Sequence, residues 1–162
     1  MNTLYLLIGG NVGNRINNLE TATGLLQQQI GNIIKRSSVY ETGAWGNTNQ
    51  PDFLNQVLIL ETRLNATECM QQIFFIENKM GRVRTEKNAP RIIDIDILFF
   101  NDEVVNEPGL TIPHPQIANR KFVLIPMNEL SPGLLHPVLN QTIANLLSTC
   151  TDQLEVRLLS HL

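Results

Sequence analysis

Asp94 and Asp96 stand two residues apart inside Ile92–Phe100, a run otherwise built from Ile, Leu and Phe. In a strand, residues at this spacing share a face, with Cα atoms roughly 6–7 Å apart. Two carboxylates so placed can converge on Mg²⁺, which prefers hard oxygen ligands and often takes only one or two protein carboxylates beside phosphates and water. Without a cation, each acid raises the proton affinity of the other. On its own the pair also fits a solvent-facing edge with two ordinary acids, so its surroundings matter. Lys79, Arg82, Arg84, Lys87 and Arg91 are five of the chain's twelve Lys/Arg, gathered just ahead of the pair. Arginine neutralises spread phosphate charge through directional donors, and Pro90 restrains the backbone before Arg91. The combination predicts a polyphosphate–Mg²⁺ site.

Familiar phosphate-binding loops do not explain it. Gly9-Gly10-Asn11-Val12-Gly13 has neither the dinucleotide G-x-G-x-x-G spacing nor the Walker pattern, and protein-kinase signatures are missing. The turn either connects a strand to a helix or lines substrate with its backbone. Bulk composition narrows the class further. The chain has 162 residues, 43% of them hydrophobic, and a formal charge of -3. One globular domain over 1–162 is expected, without a general nucleic-acid or polybasic membrane footprint. Cys69 and Cys150 form no close-spaced ligand motif. Leu4–Ile8 is too short to span a membrane, and a cytoplasmic protein is expected.

The elements that must carry these residues follow from periodicity. Leu4–Gly9 reads as a strand and Asn17–Ile30 as a helix with Leu19, Ala22, Leu26 and Ile30 on one stripe. Ile33–Thr42 is predicted to be a strand of imperfect alternation, Trp45–Asp52 a polar loop, and Phe53–Glu61 a strand with Phe53, Asn55, Val57 and Ile59 on one face. Asn65 and Glu68 have capping-box spacing ahead of a helix over Ala66–Met80, which Gly81 ends. Ile92–Phe100 is the clearest strand, with Ile93, Ile95, Ile97 and Phe99 opposite Asp94, Asp96, Leu98 and Phe100. Gly109–Pro115 reads as loop, Phe122–Ile125 opens a short element, Pro137–Cys150 holds a last helix, and Leu154–Leu159 alternates as a last strand. Strands interleaved with two or three helices predict an α/β or α+β sandwich of unspecified strand order.

The segment Lys87-Asn88-Ala89-Pro90-Arg91-Ile92-Ile93-Asp94-Ile95-Asp96-Ile97-Leu98 resembles the signature of the 6-hydroxymethyl-7,8-dihydropterin pyrophosphokinase (HPPK) family of folate biosynthesis. The resemblance continues through Ile8-Gly9-Gly10-Asn11, Tyr40-Glu41-Thr42, Gln50-Pro51-Asp52-Phe53-Leu54-Asn55, Gly81-Arg82-Val83-Arg84, Leu110-Thr111-Ile112-Pro113-His114, Arg120 and Phe122. It implies an α+β fold, a ferredoxin-like α/β/α sandwich with a central, mainly antiparallel sheet. The implied reaction transfers diphosphate from ATP to the hydroxymethyl group of 6-hydroxymethyl-7,8-dihydropterin, giving AMP and the pterin diphosphate.

By the same resemblance Asp94 and Asp96 hold Mg²⁺, two ions, and Arg82 and Arg91 stabilise charge during transfer. Glu77, Arg82, Arg84, Lys87, Arg91, Ile97, Thr111, His114 and Arg120 are implied around ATP, with Arg84 and Lys87 in a loop that closes over it. Thr42, Gly43, Trp45, Phe53, Asn55, Asp94 and Phe122 are implied around the pterin, whose ring lies between the two Phe side chains. From residue type alone, Phe53 and Phe122 read equally as core and His114 as a surface group. No nucleic acid, membrane or obligate protein partner is implied. Other readings are a different Mg²⁺-dependent nucleotidyl or phosphoryl transferase, and a non-catalytic nucleotide- or pterin-binding homologue. The loop is one residue shorter than usual between Arg84 and Pro90, and Asn88-Ala89 replaces a common aromatic–Gly pair.

Overall fold

The computed structural model describes residues 1–43, 50–82 and 90–159. Strand β1 (Asn2–Gly10) buries Leu4, Leu6 and Ile8 in one core and Leu7 in another. A strand apolar on both faces needs cover on both, and that requirement sets the architecture. Helices α1 (Arg15–Gln29) and α2 (Ala66–Lys79) close one face, while α3 (Lys121–Leu130) and α4 (Ile143–Thr149) close the other. The result is the α/β/α sandwich implied above.

Between these layers β1 lies beside β4 (Phe53–Thr62) and β5 (Asp94–Phe100). Strands β2 (Gly31–Arg36) and β3 (Tyr40–Thr42) follow each other along the far edge of β4, and β8 (Val156–Leu158) pairs with β3. The order is β5-β1-β4-β3-β8, and every pairing is antiparallel. The helix starts are chemically marked. Asn14 caps α1 by accepting from the Asn17 amide at 3.1 Å. Asn65 and Glu68 form the expected reciprocal box on α2, at 2.8 and 3.0 Å.

Several boundaries differ from the sequence reading, each for a local reason. The strand expected over Ile33–Thr42 is broken, because Arg36 pairs with Leu58 and Tyr40 with Asn55. Ser37, Ser38 and Val39 therefore face only Gln56 and Val57, and the Ser37 hydroxyl accepts from the Val57 amide at 2.9 Å. Ile92 and Ile93 precede β5 instead of belonging to it. Within β5, Leu6 pairs with Ile97 and Tyr5 with Phe99, so Leu98 is an extra residue. The expected alternation breaks there: Phe99 joins Leu98 on the α3–α4 side, and Phe100 joins Ile93, Ile95 and Ile97 on the other.

The region read as loop contains a hairpin of β6 (Val105–Glu107) and β7 (Leu110–Ile112), turned by Gly109 at φ 79°. Phe122 lies in a full helix, α3, despite Pro126 inside it. The last helix is only Ile143–Thr149, with Val138 exposed outside it, and β8 is shorter than expected.

Candidate active site

Strand register places the two acids. Asp94 pairs with Gly9 and Asp96 with Leu7, while Gly9 pairs on its other side with Asn55 of β4. Three adjacent strands thus present their ends to one cleft. Close approach is possible because Gly9 and Gly10 lack side chains: a Cβ on Gly9 would stand 2.5 Å from Asn55 Oδ1, and one on Gly10 would overlap the Ile92 carbonyl. What the sequence offered as turn chemistry is a packing requirement.

Asn11 is the main positioning residue that the chemical reading passed over, although it stood in the resemblance. Its backbone amide donates to the Arg91 carbonyl, and the Arg91 amide donates to Asn11 Oδ1, both at 2.9 Å. Its Nδ2 donates to Gln50 Oε1 at 2.9 Å and to the Pro51 carbonyl at 3.0 Å. One buried amide joins the approach to β5 to the approach to β4. Asparagine suits this place because it carries both donor and acceptor.

The acids sit in a guanidinium network. Arg91 Nη1 donates to Asp94 Oδ2 at 3.0 Å, and Arg82 Nη2 lies 3.2 Å from Asp94 Oδ1. Arg82 Nη1 also donates to Glu77 Oε1 at 3.3 Å. Glu77, almost wholly buried at the end of α2, accepts the Ile95 amide through Oε2 at 3.0 Å. Arg82 is therefore held between a helix and a strand. Its Nε is buried with no acceptor among the described residues, leaving an N–H for which an anionic oxygen is the complementary partner.

Asp96 is the perturbed member of the pair. Burial first, then the charges of Asp94 and Glu77, push its carboxyl up to about 7, against opposing pulls from Arg120 and Arg82. A hard-oxygen donor near neutral titration, beside a second carboxylate, fits a divalent cation. No cluster of three or more His, Cys, Asp or Glu occurs among the described residues.

Beside the acids the cleft has a volume of about 110 Å³ and combines apolar with polar walls. Leu7, Phe53, Phe122 and Leu154 supply the apolar surface, while Gly9, Thr42, Gly43, Asn55, Arg91, Arg120 and both acids complete the lining. Thr42 and Asn55 are buried, and Asn55 Nδ2 donates to Thr42 Oγ1 at 3.3 Å. The Arg91 guanidinium lies 5.9 Å from the Phe53 ring centre, and that of Arg120 lies 5.6 Å from Phe122. Each aromatic is thereby coupled to a phosphate-suited cation. Leu154 was not among the expected site residues; from sequence it was only one position in an alternating terminal strand.

Other expected residues are distributed differently. Thr111 and His114 line a neighbouring hollow with Val138 and Leu139. The His114 amide donates to the Leu98 carbonyl at 3.0 Å, and its Nδ1 accepts the Gln116 amide at 3.1 Å. Burial and then Arg120 hold its pKa below the ordinary histidine value, with Asp94 opposing. The Ile97 side chain is buried in the α1–α2 core and does not enter the cleft. Glu77 lies beneath the surface, turned to Arg82 and Ile95. Trp45, Arg84 and Lys87 lie outside the described residues.

The chain is similar to known proteins over most of its length. The model of the 7,8-dihydro-6-hydroxymethylpterin-pyrophosphokinase (HPPK) family matches residues 5–132. The 2-amino-4-hydroxy-6-hydroxymethyldihydropteridine pyrophosphokinase of Aquifex aeolicus is 42% identical over 138 residues, covering 85% of this chain and 86% of that protein. The protein of the same name from Haemophilus influenzae is 32% identical over 159 residues, covering 98% and 99%. The crystal structure of wild-type Plasmodium falciparum HPPK-DHPS matches 91% of this chain with a TM-score of 0.74 at 22% identity, a likeness of fold. This chain spans 44% of that longer chain.

Proposed function

Because the chain belongs to the 7,8-dihydro-6-hydroxymethylpterin-pyrophosphokinase family, we infer that it transfers the β,γ-diphosphate of ATP to 6-hydroxymethyl-7,8-dihydropterin. The products are AMP and the pterin diphosphate. One observation carries the reading: Asp94 and Asp96 share a cleft with Phe53, Asn55 and Phe122 and with Arg91 and Arg120. A flat heteroaromatic group and a polyphosphate are thus accommodated side by side. Two apolar rings suit the faces of a pterin, and the Thr42–Asn55 pair suits its amide-like edge.

Asp94 and Asp96 would hold Mg²⁺, two ions in our reading, which neutralise phosphate charge and favour loss of the hydroxymethyl proton. The chain's own residues position and stabilise. Arg82 and Arg91 offer N–H donors where charge builds on the transferred group, and Arg82 needs little reorganisation because Glu77 and Asp94 hold it. Glu77 is therefore a positioning residue. Arg120 and neutral His114, an Nε2–H donor when Nδ1 accepts, supply further contacts to ATP, with Thr111 at the outer edge. Ile97 is left its backbone for that purpose. Gly43 borders the pterin side of the cleft, and Trp45, Arg84 and Lys87, outside the described residues, keep in this reading the pterin and ATP roles that the resemblance implies.

Positioning and electrostatics supply most of what protein contributes to phosphoryl transfer, so no dedicated base is assigned. ATP and the pterin are the partners this reading needs, in the cytoplasm. No helix among the described residues is long and apolar enough to cross a membrane.

The test is a product assay with ATP, Mg²⁺ and 6-hydroxymethyl-7,8-dihydropterin. AMP and pterin diphosphate should accumulate together in a 1:1 ratio. ADP with a monophosphorylated pterin would reject diphosphate transfer, and binding of both ligands without turnover would reject catalysis.

A further inference from the structure

The family match ends at residue 132, yet the chain beyond it returns to the cleft. Leu154 lines the same space as Phe53, Asn55 and Phe122. A Cβ built on Gly43 would stand 3.7 Å from Leu154 Cδ1, ordinary van der Waals contact, so the leucine occupies the ground beside a wall residue that has no side chain of its own. Its position is set by Asp152. Asp152 Oδ1 accepts the Leu154 amide at 3.0 Å, while Oδ2 accepts the Lys121 amide at 3.0 Å.

The second bond matters because Lys121 opens α3, and Arg120 at its N-cap makes no side-chain capping bond. An external carboxylate takes that part, favoured by the exposed N–H groups and positive end of the helix. One carboxylate thus ties Leu154 to the turn that carries Arg120 and Phe122. Beyond it β8 pairs Val156 with Thr42, and Arg157 Nη2 donates to Asp52 Oδ2 at 2.7 Å, next to Phe53. The terminal segment grips both sides of the cleft.

We propose that Leu154 is a specificity-determining wall of the heterocycle pocket, and that Asp152 is the positioning residue that holds it in the lining it shares with Phe122. The inference rests on the pterin reading of the cleft. A branched apolar side chain beside Gly43 fills one edge of the pocket, so it rewards a flat ring that reaches that edge and excludes a bulkier one. Phosphate chemistry lies at the acids and arginines, so loss of this wall acts on the pterin and leaves ATP alone.

The test uses the full chain and the variants Leu154→Ala, Leu154→Trp and Asp152→Asn, each first shown to be folded by its thermal transition. Equilibrium binding of 6-hydroxymethylpterin, and KM for the dihydropterin and for ATP, are measured separately. Leu154→Ala should weaken pterin binding roughly three- to tenfold through lost apolar contact, with kcat and KM for ATP within about twofold of the parent. Leu154→Trp should weaken it further by filling the space. Asp152→Asn keeps the size of the side chain but presents an NH₂ to one of the two amides, and should shift pterin affinity in the same direction.

Parental pterin affinity in both Leu154 variants overturns the proposal, as does an equal loss of affinity for ATP and pterin. A parent enzyme that turns over normally while these variants match it refutes this inference alone. A parent that binds pterin without turnover refutes catalysis and leaves the wall to be judged by binding. A parent that binds no pterin refutes both.

Discussion

Asp96 illustrates how function sets a local energetic conflict. Its carboxyl is pushed up to about 7 by burial and by neighbouring acids, so the metal-free folded protein keeps a proton that the unfolded chain releases near an ordinary Asp value. Between about pH 4 and pH 7 unfolding therefore releases a proton, and stability falls as pH rises through this window. Below it the acid is neutral in both states, and above it the full penalty is present. In EDTA, Asp96→Asn should flatten this slope, so that the variant gains stability over the parent at pH 8 but not at pH 4.5. Thermal or urea unfolding at pH 4.5 and pH 8 checks this; an unchanged slope would assign the pH dependence to other groups. The same variant should lose turnover by roughly 10²-fold or more if the carboxylate serves the transferred phosphates.

At the scale of elements, the site depends on where three strands begin and end. Gly9 and Gly10 let β4 and the Arg91–Ile92 segment approach β1, and Asn11 then fastens both approaches. Removing that amide leaves the Arg91 N–H and the Pro51 carbonyl without their partner. Asn11→Ala should therefore destabilise the fold by about 1–3 kcal/mol, measured by urea unfolding. It should also lower kcat/KM, because the Arg91–Asp94 and Phe53 walls would move relative to one another. Full activity at reduced stability would show that the link is structural only.

At the scale of the whole molecule, one sheet is covered on both faces, and the bulge at Leu98 decides which face receives Phe99. Phe99 packs edge-on to Tyr5 and to His136, each at 5.7 Å between ring centres, and ties β5 to the segment ahead of α4. Phe99→Ala should cost about 3–5 kcal/mol. Far- and near-ultraviolet circular dichroism should still report a single unfolding transition, because both cores share the same strands. Separate transitions would show that the α3–α4 layer unfolds on its own.

The acids at Asp94 and Asp96, the basic approach, the capping box at Asn65 and a sandwich mixing strands with helices were all legible in the sequence, while the choice of α+β came from the family resemblance. They depend on residue type and short-range spacing, which the chain carries locally. The family resemblance added Phe53, Asn55 and Phe122 as one group, and the cleft brings them together. Long-range register could not be read from periodicity. The break at Ser37–Val39, the extra residue at Leu98 and the Val105–Ile112 hairpin arise from what each strand pairs with. Asn11, Glu77 and Leu154 are ordinary residues in sequence. Tertiary structure alone decides that one joins two loops, one holds Arg82 and one walls the cleft, because each role consists of contacts with residues far along the chain.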